Sequence, residues 1–149
     1  MKNKEHNHHQ ELITNYMYLG LLPFMICAFG PWILVDYKTA LTSLFFFYSA
    51  IILVFLAGTL WAIALFTGIE HRRRHIHAAI IFSLWPLVCY FLTDLYAVAL
   101  MLIGFLLLLF WEKCFINPTY RNWYQTLRHK ITFIVVACHM LTLWNIIRP

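Results

Sequence analysis

The sequence predicts an all-α integral membrane protein, a bundle of about five transmembrane helices with one interfacial amphipathic helix. Three observations carry that expectation. Of 149 residues, 62% are hydrophobic and only 11% charged, against roughly half and about a quarter in ordinary soluble domains. Five apolar runs are visible, and at about 20 residues per bilayer crossing they consume roughly 100 residues, which leaves no room for an extramembrane domain of the usual size. The basic residues, finally, fall almost entirely on alternate connections between those runs. The formal charge of +5 is therefore read as a topology signal before it is read as an anion-binding patch, and no nucleic-acid partner is expected.

Residues 1–15, MKNKEHNHHQELITN, form a polar tail ahead of a single transmembrane domain over 16–149. No A-x-A-like cleavage site follows the first apolar run, so an uncleaved first helix is expected. Segment one, 16–35, is interrupted by Pro23 and by Gly30-Pro31 and should kink or end early, because proline removes a backbone donor. Segment two, 41–66, is long and opens on the polar Thr39–Ser43 stretch, so it should tilt. Thr67, Gly68, Glu70 and the run His71-Arg72-Arg73-Arg74-His75 should end it. Segment three, 76–92 with Pro86, and segment four, 95–111, are separated only by Thr93-Asp94. Together they cover about 36 residues, too long for one crossing, and a helical hairpin turning near Asp94 is the economical arrangement. Segment five is 131–147.

The connector before segment five places Tyr120, Trp123, Tyr124, Leu127 and Ile131 at three-to-four spacing, with Arg121, Gln125, Arg128 and His129 mostly elsewhere on the wheel. That pattern predicts a helix lying in the membrane interface, with Pro118 in its first turn. A basic loop with scattered aromatics is the alternative. Orientation follows from counting. Lys2, Lys4, Arg72, Arg73, Arg74, Lys113, Arg121, Arg128 and Lys130 lie on the tail side, against Lys38 and Arg148 opposite. Positive residues in short loops stay cytoplasmic, so the amino terminus is expected inside and the carboxyl terminus outside.

Several residue blocks carry a family resemblance. Gly20-Leu21-Leu22-Pro23-Phe24, the stretch Tyr48-Ser49-Ala50-Ile51-Ile52-Leu53-Val54-Phe55-Leu56-Ala57-Gly58-Thr59-Leu60-Trp61, then Ser83-Leu84-Trp85-Pro86 and Trp123-Tyr124-Gln125-Thr126-Leu127-Arg128 with Thr132 after it resemble the bacterial domain-of-unknown-function family related to eukaryotic transmembrane protein 69. The resemblance covers nearly the whole chain after the tail. It implies a small multi-pass protein of the bacterial inner membrane, or of the mitochondrial inner membrane in a eukaryote, and supplies no catalytic residues. Ser49, Leu60 and Ala62 depart from the family pattern.

Intramembrane polar residues are the default functional suspects because burying them in hydrocarbon is costly. His139 lies near the middle of segment five, and Thr132 and Thr142 share its face. It either relays protons or contacts a ligand, or else makes a packing hydrogen bond as a neutral ring, since low dielectric disfavours the charged form. One histidine at membrane depth does not hold a haem between two axial ligands, so no cofactor is expected. His71 and His75, four apart, would share a helix face with spacing that can chelate a divalent ion, but no carboxylate or cysteine partner stands beside them and solvated loop histidines are expected. Cys27, Cys89, Cys114 and Cys138 show no CxxC spacing. Arg72, Arg73, Arg74, Arg121 and Arg128 are candidates for contact with anionic lipid headgroups. Gly58 and Ala62 are candidates for close helix packing. Asp94 and Glu112 sit at segment ends, where they are expected to stay hydrated. No nucleotide-binding loop, metalloprotease motif or nucleophile elbow is present. The expectation is an accessory or assembly subunit of a larger membrane complex, not an enzyme, with the lipid bilayer and other membrane subunits as partners. A small transporter or proton-linked carrier and a metal- or haem-binding redox protein are the alternatives.

Overall fold

The computed structural model describes residues 2–66, 69–115 and 122–148, with side chains described for 10–66, 72–115 and 122–148. Among them the chain is helical almost throughout: α1 (Lys2–Leu19), α2 (Leu22–Ile33), a 3-10 turn (Val35–Tyr37), α3 (Lys38–Phe66), α4 (Ile69–Tyr90), α5 (Asp94–Phe115) and α6 (Asn122–Ile147). Four stretches are long and apolar enough to cross a membrane: Gln10–Ile33, Val35–Phe66, Asp94–Phe115 and Asn122–Ile147. Helix α4 is not among them, because its first turns carry Arg72–Arg74 and the flanking histidines. The outward faces are as apolar as the core, with Ile33, Phe66, Phe91 and Phe133 all more than two-thirds exposed. Such a surface suits lipid and not water.

The first segment breaks earlier than its prolines suggest. The chain turns at Gly20-Leu21, and α2 starts at Leu22 with Pro23 in its first turn, where a missing N–H costs nothing. Gly30-Pro31 lies inside α2, which closes at Ile33 with the Leu34 N–H donating to Gly30 O. The Tyr48 hydroxyl donates to Gly20 O at 2.7 Å and pins the break to α3. The polar tail does not stay apart from the helices, since α1 begins at Lys2 and runs to Leu19.

Two further expectations on organisation are corrected. The basic run does not form a loop, because α4 takes Arg72–His75 into its first turns and continues through the buried Pro86 to Tyr90. Nor is there a separate interfacial helix: α6 is continuous from Asn122 to Ile147, so the amphipathic connector is the first third of the last helix. Its aromatic face packs inward, with Trp123 and Tyr124 half-buried and Leu127 and Ile131 buried. Pro118, Tyr120 and Arg121 lie outside the described residues. The hairpin between segments three and four turns over 91–93, as the spacing predicts.

Packing joins α2 to α3, α3 to α4, α4 to α5, α5 to α6 and α6 back to α2, with α3 and α5 touching across the ring. Helix α1 lies along the start of α6. At the end opposite the tail, Lys38 Nζ donates to Arg148 O at 2.7 Å and the Arg148 guanidinium stacks 5.1 Å from the Trp32 ring centroid, which ties the ends of α2 and α6 to the start of α3.

Close approach is concentrated at Gly104 on α5. A Cβ there would lie 2.7 Å from Trp85 Nε1 on α4 and 3.2 Å from Leu53 Cδ2 on α3. The indole has little freedom to yield, since its Nε1–H donates to Leu100 O at 2.9 Å. Gly58 is the reverse case. It is exposed, with nothing within 4 Å of an added Cβ, and Ala62 is exposed one turn on. Neither packs within this chain, because α3 turns Leu53, Ala57, Leu60 and Ala64 inward instead. Gly104→Ala should therefore lower stability in detergent by about 1–3 kcal/mol through overpacking, whereas Gly58→Ala should leave the melting temperature unchanged or slightly raised, which thermal unfolding of both variants measures.

Candidate functional site

The inner face of α6 carries five of the nine buried polar side chains among the described residues. Arg128, Thr132, His139, Thr142 and Asn145 are all buried, interleaved with Ile131, Val135 and Cys138. Steps of three and four residues keep them on one stripe of the helix, so hydrogen-bonding side chains line the interior while Phe133, Met140 and Trp144 face outward. Burying a polar group is costly unless it finds a partner, and several of these groups find specific ones.

At the tail end, Arg128 Nη2 donates to Glu112 Oε1 of α5 at 2.5 Å, with both side chains buried. Tyr124, one turn before Arg128, lies close enough to feel both charges. This corrects two expectations. Arg128 is not a headgroup contact, and Glu112 is not hydrated; each is sheltered because the other neutralises it. Asp94 is exposed, as expected of a segment end. At the far end, Asn145 Nδ2 donates to Ala28 O of α2 at 2.8 Å. That acceptor is one residue from the carbonyl to which Pro31, lacking an N–H, cannot donate.

Between these ends sits His139, fully buried. Its Nδ1 lies 2.8 Å from Val135 O, and because a carbonyl only accepts, Nδ1 is assigned the proton. Nε2 meets no hydrogen-bonding partner among the described residues. The ring is enclosed by Phe45, Phe105 and Phe24 at centroid distances of 4.7, 5.3 and 6.0 Å, and Phe24 in turn meets Tyr48 edge-on at 4.9 Å. Thr142 donates to Cys138 O at 2.9 Å, within its own helix. The structure thus brings Thr132, His139 and Thr142 to one buried face, with the histidine sealed by aromatic rings.

The remaining candidates are dispersed. Arg72, Arg73 and Arg74 are exposed on α4. His75 is buried and the His71 side chain lies outside the described residues, so the pair is not described together. Among the described residues no group of three or more His, Cys, Asp or Glu side chains gathers as a metal site. Cys27, Cys89 and Cys138 are buried and unpaired with one another, and Cys114 is exposed. The features missed from sequence are the Arg128–Glu112 pair and the Asn145 contact. Glu112 lies sixteen residues before Arg128 across an undescribed connection, and no local period links them.

Loss of one member of the ion pair should be far worse than loss of both. Arg128→Met or Glu112→Leu alone is expected to cost about 3–5 kcal/mol by stranding a buried charge, and the double variant to recover most of it. Thermal unfolding of the two single variants and the double variant in one detergent gives the comparison.

No curated protein and no solved structure matches the chain. The model of one family, described as a protein of unknown function, DUF3429, matches residues 10–144, from within α1 to Trp144 near the end of α6. The chain belongs to the DUF3429 family.

Proposed function

We propose that this chain is an accessory subunit of a larger complex in the bacterial inner membrane, or in the mitochondrial inner membrane of a eukaryote, where the kinship with transmembrane protein 69 would place it. The outward face of α3 carries this reading. In a helix surrounded by lipid, glycine brings conformational cost and no side-chain contact, and small residues repay that cost only where another backbone comes close. Gly58 meets nothing inside the chain, yet it borders an apolar groove of about 350 Å³ between α3 and α4, with Val54, Trp61, Ser83 and Leu84 on its sides, and Ala62 is exposed one turn on. A transmembrane helix of a partner subunit fits that groove. The sealed core supports the same reading over a carrier, because His139 has no exposed surface from which to hand on a proton.

In this arrangement the tail side is cytoplasmic. Arg72–Arg74, Lys113 and Lys130 are exposed at that end, with the half-buried Lys38 and the exposed Arg148 at the other, and the excess of positive charge is held inside. The arginines of α4 then meet anionic headgroups of the inner leaflet.

Gly58→Leu should keep the thermal stability of the isolated protein while abolishing recovery of a membrane subunit that copurifies with the unaltered chain in mild detergent. If the same proteins copurify in equal amount, the α3–α4 groove is not the contact. Orientation has its own test. A periplasmic phosphatase should be active when fused after Pro149 and inactive when fused after Lys113, and the reverse pattern would invert the topology.

A further inference from the structure

A second cavity, of about 330 Å³, lies on the other side of the bundle between α1, α2, α3, α5 and α6. Tyr16 and Phe55 stand at its rim and are 66% and 67% exposed, so it opens sideways onto the apolar outer surface. Phe24 and Phe105 form its buried wall, and its polar corner consists of Arg128 and Thr132. A ligand reaching it comes from the bilayer. Pockets of this kind, apolar with a few convergent polar groups, are the usual form of small-molecule sites.

The chemistry of the corner selects the headgroup. The charge of Arg128 is already balanced by Glu112, while its Nε–H has no acceptor among the described residues. The corner therefore has hydrogen bonds to donate but no net charge to offer. A fatty-acid carboxylate or a phosphate would bring a second anion beside Glu112, and like charges at short range in low dielectric are strongly unfavourable. A neutral carbonyl meets no such penalty. The walls select the rest: aromatic rings from four elements, α1, α2, α3 and α5, present faces and edges to a flat ring, which an acyl chain does not exploit.

We propose that this cavity binds the head ring of an isoprenoid quinone drawn from the bilayer, with a ring carbonyl at the Arg128–Thr132 corner and the apolar tail leaving between Tyr16 and Phe55. The proposal rests on membrane location alone and is independent of any partner at Gly58.

The test uses the full chain in phosphatidylethanolamine–phosphatidylglycerol nanodiscs, titrated with ubiquinone-2 while tryptophan fluorescence is followed. Saturable quenching is expected, weakened about tenfold or more by Phe55→Ala, which alters an exposed side chain, and by the isosteric Thr132→Val. Gly58→Leu, at a position that lines the opposite groove and not this cavity, should bind as the unaltered chain does. An equal concentration of dioleoylglycerol should not displace the quinone. Circular dichroism of each variant keeps misfolding apart from lost binding, and should Thr132→Val unfold, Phe55→Ala decides. Quenching that rises linearly with membrane quinone, identical curves for the unaltered chain and Phe55→Ala, or displacement by dioleoylglycerol would each overturn the assignment, the last by showing a groove for acyl chains.

Discussion

Taking a guanidinium and a carboxylate out of water costs several kcal/mol per ion, and their attraction offsets that only in good geometry. Arg128 and Glu112 are both buried, at 2.5 Å, so α5 and α6 must lie side by side in a register that brings residue 112 opposite residue 128. Much follows from that register. It directs Thr132, His139, Thr142 and Asn145 inward along α6, places His139 between Phe45 and Phe105, and carries Asn145 to the carbonyl of Ala28. A shift of one residue would turn the whole stripe through about 100° and present it to lipid.

The two ends of the bundle are fastened differently. At the tail end the fastening is one buried ion pair between neighbouring helices. At the opposite end it is distributed over one buried hydrogen bond, Asn145 to the carbonyl of Ala28, and two exposed contacts, Lys38 to the carbonyl of Arg148 and Arg148 over Trp32, which solvent weakens individually. Between them the core is held by aromatic edge contacts and by dispersion, the dominant attraction where lipid removes the hydrophobic difference between inside and outside. Helix α4 stands apart from this scheme. Among the described residues it packs chiefly against α3 and α5 and carries the exposed arginines.

Two openings flank the bundle, and they differ in character. The groove beside Gly58 is lined by small and aliphatic groups and the Trp61 indole. The cavity beside Arg128 has aromatic walls and one polar corner. Both open onto the apolar outer surface, and neither requires opening of the sealed core around His139. Family membership of unknown function leaves these surfaces, and not a cluster of reactive groups, as the features that distinguish the chain.

Composition and the positions of the apolar runs by themselves determined that this is a helical protein with segments able to cross a membrane, that a tight turn falls next to Asp94, and that Thr132, His139 and Thr142 share a face. These are consequences of length, hydropathy and helical period, all local properties. Local pattern misled where a stretch carries two signals. The amphipathic connector and the basic run read as interruptions, yet α6 and α4 continue through them, because a helix keeps its backbone bonded whatever its side chains and ends only where another partner is supplied. What tertiary structure alone decided is which small residues face neighbours and which charges are buried. Gly58 and Gly104 are indistinguishable as letters, and only the approach of Trp85 makes one of them indispensable. Arg128 and Glu112 each read as surface charges, because whether a charge is solvated depends on what the rest of the chain places over it.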